Sequence, residues 1–158
     1  VQTIWQYYQD FTKIKVAIVG DVKHSRVARS SVKALQILGC QNIRIIAPDY
    51  FLSHDWQTQN IEIYSDLKKG LHDVDVIMML RIQKERFINA PALDEKSYIN
   101  HYCLTFDKLK FAKPNTIILH PGPLNRGIEI DSAVAECQNS KILQQVTNGV
   151  YMRMAVLE

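Results

Sequence analysis

The stretch VIMMLRIQKER, residues 76–86, decides the fold of this chain. Its first half is a short, unbroken apolar run, which is typical of a strand covered on both faces of a parallel sheet. Its second half carries two arginines, a lysine, a glutamate and a glutamine. A buried parallel strand that ends in this way brings charge to the C-terminal edge of the sheet, where open α/β folds bind ligands. The plainer interpretation is a strand followed by the solvated, charged start of a helix.

Further apolar runs, and the segments between them, predict an α/β domain. The predicted strands cover residues 15–19, 43–47, 61–64, 74–80 and 116–119. Helical patterns cover residues 27–38, a short segment ending near residue 70, residues 95–109 and residues 140–157, and residues 2–11 indicate the tail of a helix. This alternation indicates a parallel sheet with helices on both faces, joined by right-handed crossovers. We predict a three-layer α/β fold whose open parallel sheet has about five strands in the order 3-2-1-4-5.

Two local expectations accompany this prediction. The aromatic residues of the first segment, Trp5, Tyr7, Tyr8 and Phe11, are expected to pack on the sheet as part of the core. The pair Asn148-Gly149 is expected to interrupt the closing helix.

The composition indicates one ordinary globular domain. The chain has 158 residues, of which 47% are hydrophobic and 22% charged. A net charge of +3 without any lysine- or arginine-rich run argues against nucleic acid as a partner. No apolar run is long enough for a membrane span. The three cysteines, Cys40, Cys103 and Cys137, are far apart, which favours reduced, mostly buried thiols in a cytoplasmic protein.

In the predicted strand order, three strand exits face one crevice. Their sequences are GDVKHSR (20–26), RIQ (81–83) and HPGPLNR (120–126). The first exit lacks the Gly-x-Gly-x-x-Gly pattern of dinucleotide sites. Arg26 and Arg81 arrive from two adjacent strand ends, and the planar fork of arginine suits carboxylates, so we predict two anion sites that suit a small dicarboxylate. Lys23 and Arg29 are explained equally well by ordinary surface charge.

At the third exit, two prolines flank a glycine and predict a tight turn with few free N–H donors. Such a turn exposes carbonyl oxygens, which suits a ligand that carries an NH₂ group. His120 is either a structural residue, the commoner case at a strand end, or a base or metal ligand. The other histidines have no metal-ligand spacing, and no nucleophile triad or carboxylate pair is present. We therefore assign no metal, no cofactor and no catalytic acid, base or nucleophile.

Four segments resemble the aspartate carbamoyltransferase family. They are GDVKHSRVARS (20–30), MLRIQKER (79–86), HPGPLNRGIEI (120–130) and VTNGVYMRMA (146–155), and they follow the family's order. The resemblance covers nearly the whole chain, but only the second, aspartate-binding domain of the family's catalytic chain. It implies that residues 1–158 form this single domain and that the carbamoyl phosphate-binding domain is absent from the chain. The absence of an initiator methionine at Val1 also indicates a fragment or a processed chain.

The resemblance implies how L-aspartate would be bound. Arg26 would hold its α-carboxylate, and Arg81, assisted by Gln83, its side-chain carboxylate. The implied reaction, a step of pyrimidine biosynthesis, converts carbamoyl phosphate and L-aspartate to N-carbamoyl-L-aspartate and phosphate. The related ornithine enzymes resemble the chain less, because they have a cysteine in the turn that here contains Gly122 and a Ser-Met-Gly loop for ornithine.

For carbamoyl phosphate, the resemblance implies that Gln2 and the backbone carbonyls around Gly122 and Pro123 would hold the carbamoyl NH₂ group. It also implies a cis peptide before Pro123, which a tertiary amide tolerates at modest cost. Val1-Gln2-Thr3 resembles the end of the family's His-Pro-x-Gln motif. One departure is Gln6, which stands where the family usually has an aspartate.

The resemblance further implies a cytoplasmic homotrimer of complete catalytic chains, with regulatory subunits as possible partners and neither nucleic acid nor a membrane among them. The alternative interpretation is a carbamoyltransferase-like binding or scaffold domain that has lost catalysis. The presence of Arg26, Arg81 and Gln83 favours the enzyme, because a scaffold has no need of all three.

Overall fold

Five parallel strands form the single sheet seen in the computed structural model, which describes residues 1–53, 56, 61–82 and 94–158. Their order is β3-β2-β1-β4-β5. The strands are β1 Lys15–Val19, β2 Asn42–Ile46, β3 Glu62–Tyr64, β4 Val76–Met79 and β5 Ile117–Leu119. The predicted α/β class and strand order are therefore confirmed.

Burial explains why the two central strands are unbroken apolar runs. β1 lies between β2 and β4, with Val19 opposite Ile46 on one side and Met79 on the other. Every residue of β4 is buried, whereas the edge strand β3 begins with the exposed Glu62. A strand covered on both faces has no solvent side on which polar residues could alternate. The prediction drawn from the apolar half of residues 76–86 is correct.

Helices surround this sheet. Within the described residues, none is long and apolar enough to cross a membrane. The helices are α1 Gln2–Tyr7, α2 Arg26–Ile37, α3 Leu67–Leu71, α4 Glu95–Tyr102, α5 Phe106–Leu109, α6 Ser132–Ala135 and α7 Ile142–Leu157, with 3₁₀ turns at Phe11–Lys13 and Asp49–Phe51.

The region predicted as one helix over residues 95–109 is two helices, α4 and α5. The break lies at Leu104, whose backbone pairs with the segment before α6 instead of continuing the helix. The N–H of Leu104 donates to the carbonyl of Glu129 at 3.0 Å, and the N–H of Asp131 donates to the carbonyl of Leu104 at 3.0 Å. A long-range pairing therefore overrides the local helical pattern. The short helix α6 was not predicted.

The closing helix α7 is continuous through Asn148 and Gly149, so the predicted interruption is wrong. Asn148 is buried, and its side-chain amide donates to Thr3 Oγ1 at 2.9 Å and to Gln6 Oε1 at 2.8 Å. The polar residue that suggested a break is instead the anchor between α7 and α1.

The expectation for the first aromatic residues holds only in part. Phe11 is buried and Tyr8 packs against the core, but Trp5 is 50% exposed and Tyr7 is also largely exposed. α1 is hydrogen-bonded to α7, and the Tyr7 hydroxyl takes part by donating to Gln144 Oε1 at 2.6 Å, so Tyr7 belongs to this contact and not to the core. The cysteines follow the prediction, because Cys40 and Cys103 are buried and Cys137 is half-buried, all three as free thiols.

Two helical glycines provide a matched test of the packing. A methyl group at Gly70 in α3 would lie 2.5 Å from Ile46 Cδ1 and 2.6 Å from its Cγ1, whereas at Gly149 in α7 it would meet nothing within 4 Å. We expect Gly70→Ala to lower the free energy of unfolding by about 1–3 kcal/mol through overpacking. Gly149→Ala should raise it by about 0.5–1 kcal/mol, because alanine favours the helix. Urea unfolding of both variants measures this, and effects of the same sign would contradict the packing of α3 on β2.

Candidate functional site

The exits of β1 and β4 touch each other at the C-terminal edge of the sheet. The N–H of Leu80 donates to the carbonyl of Val19 at 2.8 Å, which extends the pairing one residue beyond β4. A side chain at Gly20 would place its Cβ 3.1 Å from the carbonyl oxygen of Leu80. The φ of Gly20 is +117°, a value that other residues rarely adopt. Glycine at this position therefore lets two exits meet at the point where the strand order reverses, the usual ligand position of such sheets.

Asp21 organises the first exit. Its carboxylate is fully buried, and Oδ1 accepts a hydrogen bond from the backbone N–H of His24 at 3.1 Å and lies 2.9 Å from His24 Nδ1. The side chain of Ser25 then accepts a hydrogen bond from the N–H of Ala28 at 3.1 Å and caps α2. Arg26 is thus the first residue of a twelve-residue helix, and it is exposed. An anion at this exit would meet the guanidinium together with the positive end of the helix dipole.

At the second exit, Arg81 is half-buried between two buried residues, Leu80 and Ile82. The pairing of Leu80 with β1 fixes the backbone next to Arg81. The side chain of Arg81 therefore leaves the backbone at the same edge of the sheet as the exit that carries Arg26. Gln83, predicted to assist Arg81, lies outside the described residues, as does the remainder of the charged segment to residue 93.

The third exit is a tight turn held by side chains. The Gly122–Pro123 peptide is cis, as predicted. The N–H of Gly122 donates to Nδ1 of His120 with an N···N distance of 2.8 Å. The side-chain amide of Asn125 donates to the carbonyl of Ile82 at 3.3 Å, which ties this turn to the second exit. The three predicted exits are therefore connected in the folded chain.

Glu129 is a residue of this turn that sequence reasoning missed. Its side chain and that of His120 are both fully buried, with His120 Nε2 lying 3.2 Å from Glu129 Oε1. The N–H of Asn125 donates to the same oxygen at 2.6 Å. The available signal was an acidic residue enclosed by Ile128 and Ile130, a position where a charge is expensive unless it is paired.

A second unforeseen polar group is the hydroxyl of Tyr98 in α4. Tyr98 is buried, and its hydroxyl lies 3.4 Å from the position that a Cβ would take at Gly20. Burial, followed by the charge of Glu129, raises the pKa of Tyr98 well above its ordinary value. The hydroxyl therefore keeps its proton, and among the described residues it has no hydrogen-bond partner.

Gln2, the predicted ligand of the carbamoyl group, is connected to the turn only indirectly. It is the first residue of α1 and is exposed. α1 is held to α7 by Asn148, and Gln145 of α7 accepts a hydrogen bond from the backbone N–H of His120 at 2.9 Å. Gln6 accepts hydrogen bonds from the side chains of Gln144 and Asn148 and so belongs to the same α1–α7 contact.

The groups at the three exits suit the binding of a small anion beside a hydrogen-bond donor. Within the described residues, no cluster of three or more His, Cys, Asp or Glu side chains has the geometry to hold a metal ion. The described part of the edge offers two arginines, a helix start and a turn rich in carbonyl oxygens. Such groups can bind and orient an anionic reactant.

Comparison with known protein families identifies the family of this chain. The model of the aspartate/ornithine carbamoyltransferase Asp/Orn-binding domain matches residues 12–158. The chain belongs to this family. The match includes the three strand exits and leaves out only the first residues of the chain, among them Gln2.

Solved structures of carbamoyltransferases have the same fold. The ornithine carbamoyltransferase of Pyrococcus furiosus has 27% sequence identity and a TM-score of 0.85, with 98% of this chain and 52% of that chain covered. The aspartate transcarbamoylase of Trypanosoma cruzi in complex with carbamoyl phosphate has 27% identity and a TM-score of 0.80, with coverage of 98% and 52%. The catalytic subunit of M. jannaschii aspartate transcarbamoylase has 32% identity, a TM-score of 0.80 and coverage of 98% and 52%.

Two facts follow from these comparisons. This chain spans about half the length of the solved relatives that it matches. Both aspartate and ornithine enzymes are among them, so the family resemblance alone does not separate the two second substrates.

Proposed function

We propose that this chain is the aspartate-binding half of an aspartate carbamoyltransferase of pyrimidine biosynthesis. The observation that carries the proposal is the meeting of the β1 and β4 exits, which brings Arg26 and Arg81 to one edge of the sheet. The complete enzyme would transfer the carbamoyl group of carbamoyl phosphate to L-aspartate. As in the family's catalytic chains, we propose a homotrimer of complete chains in the cytoplasm, with regulatory subunits as further partners.

Two arginines at neighbouring exits suit aspartate better than ornithine. Aspartate carries two carboxylates, and each can accept two parallel hydrogen bonds from a guanidinium. Ornithine carries one carboxylate and a side-chain ammonium, so its second group would meet an arginine of like charge. Repulsion of the wrong substrate contributes to specificity as much as attraction of the right one. In this proposal Arg26 holds the α-carboxylate, and Arg81 with Gln83 holds the side-chain carboxylate.

The turn at the third exit suits the other reactant. Carbonyl oxygens around Gly122 and Pro123 would accept hydrogen bonds from the carbamoyl NH₂ group, and Gln2 would contribute from α1. The hydrogen bond from the N–H of Gly122 to Nδ1 of His120 holds the backbone at this point. The link from Asn125 to Ile82 places this turn beside Arg81, so the two reactants would lie next to each other.

The proposed reaction needs no nucleophile from the protein. The amine nitrogen of aspartate forms a bond to the carbamoyl carbon, the bond from that carbon to the phosphate oxygen breaks, and the proton that the amine loses passes to the departing phosphate. Positioning alone contributes about 7–11 kcal/mol in well-oriented systems. Further stabilisation comes from donors aimed at the charge that develops on the carbamoyl oxygen and on the leaving phosphate. The groups that hold the phosphate would belong to a carbamoyl phosphate-binding domain.

The exposed apolar residues of α7 support a second domain. Leu143 is 84% exposed and Val150 is 51% exposed, and Val146 and Met154 lie along the same helix with similar exposure. Monomeric proteins rarely leave a continuous apolar face of this kind in water. The solved relatives are about twice as long as this chain, so we propose that their additional domain has its counterpart on this face.

The first prediction concerns Arg81 in the enzyme assembled with a carbamoyl phosphate-binding domain. Arg81→Ala should lower kcat/KM for aspartate by roughly thirtyfold or more, because a bound carboxylate that loses its bidentate partner costs about 2–5 kcal/mol. Arg81→Lys should rescue poorly, since a point charge cannot reproduce the fork. Gln83→Ala should reduce kcat/KM for aspartate less, by the equivalent of about 0.5–1.5 kcal/mol, because the Gln83 side chain carries no charge. Lys69→Ala, at an exposed lysine of α3, is the control. An unchanged aspartate KM in Arg81→Ala would remove Arg81 from the site.

The second prediction separates aspartate from ornithine in the 158-residue chain itself. L-Aspartate should bind weakly, because a crevice open to water screens both ion pairs. Titration followed by ¹H–¹⁵N NMR should shift amides at the start of α2 and after β4, and Arg26→Ala should abolish the shifts at α2. L-Ornithine at the same concentration should give smaller shifts. Stronger binding of ornithine would reverse the substrate assignment, and binding of neither would favour the non-catalytic scaffold.

The third prediction is that the 158-residue chain folds but does not transfer a carbamoyl group by itself. The sheet and its core are complete within the described residues, whereas the phosphate-binding donors are expected elsewhere. The assay uses saturating carbamoyl phosphate and aspartate, with product detected by colorimetry. Carbamoyl-aspartate formation that disappears in Arg26→Ala would show that this domain contains a complete site, contrary to the proposed division.

A further inference from the structure

The turn at the third exit depends on one buried histidine. His120 is the first residue after β5 and has no exposed surface. Its ring contacts one group on each side: the N–H of Gly122 at Nδ1 and the carboxylate of Glu129 at Nε2. Its backbone N–H is held by Gln145 of α7. The ring therefore has a partner at both nitrogens and little freedom to rotate.

These partners define where the ring proton sits. A backbone N–H can only donate, so Nδ1 of His120 must accept and carries no proton. The single proton of the neutral ring is then on Nε2, where it is donated to Oε1 of Glu129 at 3.2 Å. A proton on Nδ1 would point at the N–H of Gly122. Two donors would then face each other, and the hydrogen bond from Gly122 would be lost.

Glu129 joins both halves of the turn. Its Oε1 accepts the Nε2 proton of His120 and also the backbone N–H of Asn125 at 2.6 Å. The residues between these contacts, 121–124, include the carbonyls proposed to hold the carbamoyl NH₂ group. Oε2 of the same carboxylate is buried and has no hydrogen-bond partner among the described residues. The two hydrogen bonds to Oε1 are charge-assisted, so they hold the His120 ring and the backbone of Asn125 against the same carboxylate oxygen.

We propose that His120 and Glu129 are positioning residues for the carbamoyl group. Glu129 fixes the Nε2-protonated form of His120, and that form presents Nδ1 to Gly122 and so sets the direction of the carbonyls in the turn. Neither side chain touches the substrate. The inference deepens the proposed function, because it names what aligns the carbamoyl phosphate side of the site, and it predicts no role in holding aspartate.

The first experiment tests the histidine form without any enzyme activity. Ring ¹⁵N NMR of the histidine-labelled 158-residue chain at neutral pH should show one buried histidine protonated at Nε2 and not at Nδ1, assigned by its loss in His120→Asn. In Glu129→Ala this ring should lose its fixed form, and the amide of Gly122 should exchange with solvent faster. Glu136→Ala is the matched control, because Glu136 pairs with Arg126 on the surface of the same segment. A ring protonated at Nδ1 in the unaltered chain would overturn the proposal.

The second experiment measures the consequence in the enzyme assembled with its carbamoyl phosphate-binding domain. Glu129→Ala should raise KM for carbamoyl phosphate roughly tenfold, as expected for lost hydrogen bonds, with KM for aspartate changed less than about twofold. Glu129→Gln keeps an acceptor in the Oε1 position and should stay within about threefold of the unaltered enzyme. If the alanine variant does not fold, the comparison of Glu129→Gln with His120→Asn supplies the test. His120→Asn keeps an acceptor for Gly122 but loses the contact with Glu129. Its KM for carbamoyl phosphate should therefore rise more than that of Glu129→Gln.

The outcomes separate this inference from the proposed function. Equal increases in both KM values would indicate a general structural role and overturn the positioning assignment. An unchanged KM for carbamoyl phosphate in Glu129→Ala, in an enzyme that still transfers carbamoyl groups, would also overturn it. Absence of carbamoyl transfer in the unaltered assembly would instead count against the proposed function, while the NMR result still decides the form of His120.

Discussion

The parallel pairing of β1 with β4 is the constraint on which the rest of the site depends. In the order β3-β2-β1-β4-β5 these two strands are parallel neighbours, so their exits lie at the same edge of the sheet, where the strand order reverses. Gly20 allows the backbone after β1 to lie against Leu80 without a side chain between them. From that contact one path leads through Asp21 and Ser25 to Arg26, and the other leads directly to Arg81. The third exit is tied to the second through the contact from Asn125 to Ile82.

The fold was predictable because its signals are local and repeated. β1 and β4 are continuous apolar runs, the pattern of strands buried on both faces, and the helical pattern over residues 27–38 corresponds to α2. The failures have long-range causes. Nothing near Leu104 indicates that its backbone will pair with residues 129–131 and divide one helix into two. Asn148 has a low helix propensity, but its contacts with α1, more than 140 residues away in sequence, keep α7 unbroken.

The site was predictable to the extent that it follows from strand ends. Arg26 and Arg81 stand within a few residues of predicted strands, so the strand order alone assigns them to one edge. The cis turn followed from the resemblance of its motif to a known family. Glu129 and Tyr98 could not be found in this way, since each reaches the edge through tertiary packing: Glu129 by the pairing of its backbone with Leu104, and Tyr98 from a helix that follows the undescribed segment.

Buried polar groups at the two edges of the sheet differ in how well they are paired. At the N-terminal edge, Asp75 accepts hydrogen bonds from Lys113 at 2.9 and 3.1 Å and from the backbone N–H of Lys15 at 2.9 Å, so both carboxylate oxygens have partners. At the C-terminal edge, Glu129 Oε2 and the Tyr98 hydroxyl are buried without partners among the described residues. An unpaired buried polar group lowers stability by about 1–3 kcal/mol, so a chain selected for stability alone would pair or replace it. Among the described residues, the C-terminal edge thus contains both a paired buried carboxylate, Asp21, and polar atoms without a hydrogen-bond partner, whereas Asp75 at the N-terminal edge is fully paired.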